Sequence, residues 1–132
     1  MHPKFKPNPP ASKEPFLVLI NSLPKQLPAG YLGALAAANG GEGFVGKRYI
    51  KLWAADELLE WNEKYRVAEC APALFFIGSN GGGEACAFDL AKADGAVYQV
   101  PFLGLDPRDA ELVARFVDAI LPRINLLPEA MP

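Results

Sequence analysis

The segment "ALFFIGSNGGGEACAFDL", residues 73 to 90, limits the fold more than any other. Two runs of strand length flank Asn80-Gly81-Gly82-Gly83. The first is continuously apolar; in the second, Cys86, Phe88 and Leu90 alternate with Ala85, Ala87 and Asp89, the period of a half-buried strand. "EACAFDLAKAD" is also rich in helix formers, so propensity alone would allow a helix there. The alternation favours a hairpin turned by Asn80 to Gly83, whose residues tolerate the positive φ that tight turns require.

Consecutive glycines after an apolar run also raise the question of phosphate binding. A Walker-type loop needs GxxxxGK[ST], with a lysine for phosphate and a hydroxyl for magnesium. Here Glu84 follows the glycines and places negative charge where the anion would sit. A dinucleotide fingerprint comes closer with Gly81-x-Gly83, but position 86 is Cys and no suitable acidic residue ends a following strand. It also requires a helix after the glycines, so strands on both sides of Gly81 to Gly83 would remove it.

The remaining punctuation predicts three helices and two further strand regions. "LPAGYLGALAAANGG" reads as a helix with Pro28 in its first turn, Tyr31, Leu35 and Ala38 on one face, and Asn39-Gly40-Gly41 ending it. "EGFVG" and "RYIKLW" are close enough to form a hairpin. "AADELLEWNEKYR" is a second helix, with Asp56 and Glu57 suited to its N-terminus, Lys64 and Arg66 to its C-terminus, and Leu58, Asn62 and Tyr65 sharing a face. Asn62, on that apolar side, is expected to be an interior amide bonding to loop backbone. "AVYQVPF" is a strand that Pro101 marks as an edge or an end. A third helix is predicted from Asp106 as cap and Pro107 at the first position, with Leu112, Val113, Phe116, Val117, Ile120 and Leu121 as one stripe and Pro122 as its stop. Together these elements give an α+β domain, a mainly antiparallel sheet with helices packed on it.

At 132 residues the chain suits a single domain. Residues 1 to 15 contain five prolines and are expected to form a flexible, extended tail, with the domain over 16 to 122 and a short C-terminal tail over 123 to 132. Thirteen basic against fifteen acidic side chains leave a net charge of -2, without the basic footprint that direct nucleic-acid binding uses. The apolar run Phe16 to Ile20 is too short for a signal peptide or a membrane span, so a cytoplasmic location is expected. Cys70 and Cys86 are expected to be reduced and buried. His2 is the only histidine and lies in the tail, which excludes a histidine-based triad and a nitrogen ligand cluster for zinc. Neither a metal nor another cofactor is expected. Glu84 and Asp89 could be drawn as an acid/base pair, but solvated charges beside a turn account for them. Trp53, Trp61 and Tyr65 fall on or beside the second helix, with core packing as their first role and a partner-binding cluster as the second.

The motifs, taken in order, resemble the SUKH superfamily, the Smi/Knr-like domains found among bacterial immunity proteins and in a fungal cell-wall regulator. The resemblance runs over roughly residues 27 to 121. It rests on Leu27-Pro28 with Tyr31, Asn39-Gly40-Gly41, Gly43-Phe44, Tyr49-Ile50, Leu52-Trp53, Asp56-Glu57-Leu58, Asn62, Tyr65 and "FIGSNGGGEACAFD". It implies helices on a curved, mainly antiparallel sheet and protein binding rather than catalysis. Many bacterial members resemble antidotes that neutralise a polymorphic toxin, often a nuclease. Under that resemblance Gly78, Gly81, Gly82 and Gly83 are architectural, with Asn80 and Glu84 presented at the hairpin's edge. Expected partner contacts are Glu42, Glu57, Glu60, Glu84 and Asp89, the negative charges suiting a basic toxin. An adaptor of the same fold without a toxin is the second reading, and a small-molecule or nucleotide-binding enzyme the third. The chain departs from the family at its start, where a proline-rich stretch and "FLVLINSLPKQ" stand in place of a full first helix.

Overall fold

Seven antiparallel strands stand in the sheet in the order in which the chain visits them, β1 to β7, and the sheet curls on itself. The computed structural model describes residues 5–10, 13–92 and 95–124, and the architecture is stated for those. The strands are β1 (Lys6–Pro7), β2 (Gly41–Val45), β3 (Arg48–Leu52), β4 (Leu74–Ser79), β5 (Glu84–Asp89), β6 (Ala96–Pro101) and β7 (Glu111–Arg115). Helices α1 (Lys13–Ser22) and α2 (Ala29–Ala37) precede the β2–β3 hairpin. Helices α3 (Ala55–Lys64) and α4 (Val67–Cys70) join β3 to β4, and α5 (Leu121–Ile124) follows β7. The α+β reading is correct.

Both faces of the central strands are covered. Phe88 lies directly opposite Phe75, and Phe76 opposite Ala87 one position along, so Phe88 and Phe76 point to opposite faces. On one face Phe88 meets Tyr31 of α2 at 5.1 Å and Phe116 at 5.9 Å between ring centroids, both edge to face. On the other, Phe76 meets Tyr65 at 6.4 Å and Phe102 at 5.7 Å, beneath α3. Tyr31 is packed so deeply that its hydroxyl is buried without a hydrogen-bond partner among the described residues.

Several local signals between residues 28 and 84 act as the sequence predicts. Pro28 precedes the first turn of α2, and Gly40, with φ of 86°, releases the chain after it. Asn39 then accepts from the Ala55 N–H at 2.7 Å, which ties the end of α2 to the start of α3. Glu57 accepts from the Ala54 N–H at 2.9 Å, capping α3 in the absence of a capping side chain at position 54. β4 and β5 form the predicted hairpin, with a register shift between Phe76 and Gly78. Gly78 is needed for close approach, because a Cβ there would stand 2.1 Å from the Lys51 carbonyl oxygen of β3.

The predicted third helix is corrected. Asp106 does accept from the Arg108 N–H at 2.9 Å and Pro107 does open a turn, but the turn is a single 3₁₀ unit over Pro107–Asp109. The chain then extends as β7, pairing with β6 from Gln99↔Glu111 to Ala96↔Arg115. The physical reason is the outer edge of β6, whose backbone N–H and C=O groups need partners that a helix cannot supply. Leu112, assigned to the buried stripe, is 58% exposed. Phe116 and Ile120, four residues apart, are buried as the stripe requires, on a π-helical turn over Phe116–Ile120. Pro122 lies inside α5 and does not stop it.

The expected N-terminal tail is ordered over part of its length. Lys6 and Pro7 pair with Glu42 and Gly41, the Asn8 N–H donates to the Gly40 carbonyl at 2.9 Å, and α1 begins at Lys13. The apolar run Phe16 to Ile20 is therefore helical, inside α1. The expected tail over 123 to 132 lies outside the described residues apart from the last two positions of α5, and His2 lies outside them as well. No helix among the described residues is long and apolar enough to cross a membrane.

Candidate partner-binding surface

The glycine turn satisfies its own backbone. Asn80 Oδ1 accepts from the Gly82 N–H at 2.9 Å and from the Glu84 N–H at 3.3 Å, and the Ser79 hydroxyl accepts from the Gly81 N–H at 3.2 Å. Asn80 also donates through Nδ2 to the Glu84 carboxylate at 3.2 Å. Amides that would have to face a phosphate are thus turned inward, and strands stand on both sides of Gly81 to Gly83. The dinucleotide reading is removed.

This turn sits between two sets of aromatic rings. A Cβ on Gly81 would lie 3.2 Å from the Tyr49 ring, and the Gly83 carbonyl accepts from the Phe102 N–H at 3.0 Å. Tyr49 packs edge to face on Phe44 at 5.4 Å and donates its hydroxyl to Glu42, a bond that holds the phenol above its ordinary pKa. On the other side Phe102 stacks on Tyr65 at 4.5 Å and on Trp53 at 6.3 Å. Trp61 closes the group, stacked on Trp53 at 5.6 Å and on Tyr65 at 5.9 Å. Trp53 is buried, whereas Trp61, Tyr65 and Phe102 are half-buried. The inner ring packs as core, as expected, and the outer rings reach the surface. Leu103, next to Phe102, projects with 87% of its surface exposed.

Charged groups frame this ridge. Asp56, Glu57, Glu60, Glu63 and Lys64 of α3 are all exposed. The Lys64 ammonium lies 4.8 Å from the Trp61 ring centroid, a cation–π contact that holds it against the aromatic surface.

The five carboxylates expected to contact a partner are not brought together. Glu57 and Glu60 share α3, with Glu57 also engaged as its cap. Glu42 is on β2, between Lys6 and Lys51 on the neighbouring strands. Glu84 and Asp89 stand at opposite ends of β5, and each serves a turn: Glu84 accepts from Asn80, and Asp89 from the Ala91 N–H at 2.9 Å. The structural residues fare differently. Asn39, Gly40, Gly41, Gly78 and Asn80 all lie at junctions between elements.

Asn62 is the strongest of these. Its Nδ2 donates to the Phe76 carbonyl at 2.9 Å and to the Leu58 carbonyl at 2.7 Å, and its Oδ1 accepts from the Phe76 N–H at 2.8 Å. Its bonds reach a strand rather than a loop.

A second polar group lies away from the ridge. Buried Gln99, 3% exposed, accepts from Arg48 Nη1 at 2.8 Å, and Arg48 Nη2 reaches Glu111 at 3.2 Å. Cys86 lies beside Gln99, and burial pushes its thiol up to about 11. That thiol is protonated near neutrality and a poor nucleophile. Cys70, expected to be buried, is exposed, and neither cysteine is in a disulfide. Among the described residues no group of three or more His, Cys, Asp or Glu side chains is arranged to hold a metal ion.

Phe102 and Leu103 are the surface residues that sequence reasoning missed. Their signal is two bulky apolar residues in a row just beyond the strand-ending Pro101 and before the Asp106-Pro107 turn, where a solvated loop would be polar. Compared with known families and curated proteins, the chain matches no family model and no curated protein.

Proposed function

We propose that this chain is a non-enzymatic protein-binding domain of the SUKH type, acting as an immunity protein that captures and neutralises a toxin. The observation that carries the reading is the aromatic ridge of Trp61, Tyr65 and Phe102 ending in exposed Leu103. Half-buried aromatic rings beside a projecting aliphatic side chain are the composition of protein interfaces, which are enriched in Tyr, Trp and Phe at their centres. The placement of the family-like motifs at structural joints supports the SUKH assignment. Tyr31 anchors the core, Asn39-Gly40 links α2 to α3, and Asn62 braces β4.

The test is co-expression with the products of the neighbouring genes. The reading expects one neighbour that arrests growth alone, is tolerated when this chain is present, and co-purifies with it. Absence of protection against every neighbour, with a housekeeping protein as the stable co-purifying partner, would replace immunity with the adaptor role.

A further inference from the structure

Resting on the protein-binding reading above, we propose that the outer face of α3 and the loop residues Phe102-Leu103 form one docking surface, and that the segment it accepts is basic with an apolar anchor. The apolar part comes first. Leu103 is 87% exposed and continuous with Phe102, which stacks on Tyr65 of the adjoining α3 end at 4.5 Å. Rigid rings, with an exposed leucine next in the chain to one of them, provide contact area at little cost in side-chain entropy.

The charge around it selects the occupant. On α3, Glu57 and Lys64 stand one turn either side of Trp61, Glu60 stands one turn before Lys64, and exposed Asp56 and Glu63 lie further round, so the outer face carries four carboxylates against a single cation, Lys64. That cation is occupied on the Trp61 ring at 4.8 Å. An acidic partner would meet like charge on the neighbouring face of α3, whereas a lysine- or arginine-rich segment would be steered toward the ridge. Nearby Asp106 and Arg108 pair with each other at 2.7 Å and leave the balance unchanged.

The experiment uses the full chain as bait for a random-peptide phage library, counter-selected against the triple variant Glu60→Lys, Glu63→Lys, Leu103→Asp. All three positions are exposed, so an unchanged urea midpoint shows that the variant is folded. The expected peptides carry Lys or Arg around a Leu, Ile or Phe, bind less well as salt rises, and lose affinity at least about tenfold on Leu103→Asp alone. Leu112→Asp, on the exposed side of β7, leaves their binding unchanged. Peptides that lack basic residues, peptides that bind the triple variant equally well, or no enrichment over it would each overturn the proposal. Enrichment as expected without toxin protection would discard immunity and keep the surface; protection unaffected by the triple variant would keep immunity and discard the surface.

Discussion

Asn62 supplies with one amide what a neighbouring strand supplies elsewhere in the sheet. β3 pairs with β4 at Gly78 and Ser79, the Trp53 N–H donates to the Ile77 carbonyl at 2.9 Å, and beyond that the Phe76 N–H and C=O would be left without partners. Replacing Asn62 by Ala leaves both buried groups unsatisfied, at a cost of roughly 2–4 kcal/mol measured by urea denaturation. Asn62→Asp keeps the acceptor but sets a carboxylate against the Phe76 carbonyl and is no rescue. The glycines divide in the same way. Gly78→Ala drives a methyl into the Lys51 carbonyl and costs several kcal/mol, because backbone must move. Gly83→Ala enters open space and is expected to change stability by less than about 1 kcal/mol, in either direction.

The elements differ in how far their sequences announce them. The β4–β5 hairpin was legible from its turn residues and strand lengths, although the half-buried strand read from the alternation is in fact buried on both faces, Ala85 and Ala87 included, and α3 was legible because its charged ends and apolar face coincide. β7 was not legible. "ELVAR" has no alternation strong enough to declare a strand, and it follows a genuine cap, Asp106-Pro107, that opens only one turn. What makes it a strand is β6, a requirement set by tertiary pairing rather than by local propensity. The ridge was half legible for a related reason: Trp61 and Tyr65 fall on a readable helix, while Phe102 joins them from a loop with no periodicity. A pair of substitutions separates the strand from the helix that the stripe suggested. Leu112→Asp is expected to cost less than about 1 kcal/mol, since that side chain is mostly in solvent, whereas Phe116→Ala costs about 3–5 kcal/mol. Equal and large losses at both positions would restore the helix.

For the molecule as a whole, two buried acids decide how stability responds to alkali. Burial holds the Tyr31 phenol far above its ordinary range and pushes the Cys86 thiol up to about 11. Their folded pKa values lie above the unfolded ones, so their contribution is complete below the unfolded thiol value and declines as pH rises from about 9 toward 11. Urea midpoints in reducing buffer are therefore expected to fall across that interval, with a shallower fall in Cys86→Ala. A disulfide-exchange reagent at neutral pH should modify Cys70 promptly and Cys86 only at the rate of unfolding.

The sequence-ordered sheet also bears on how the chain reaches this state. The β2–β3, β4–β5, β5–β6 and β6–β7 pairs each close over a short span, while β3 reaches β4 across α3 and α4 and β1 reaches β2 across α1 and α2, so most pairing can follow synthesis. A more distant joint is the seal where Tyr31 of α2 meets Phe116 at 5.5 Å. A nascent chain that has not yet released Phe116 has its strands in hand but one face uncovered. Phe116 is thus the ring that closes this face over Tyr31 and Phe88 after the strands are made.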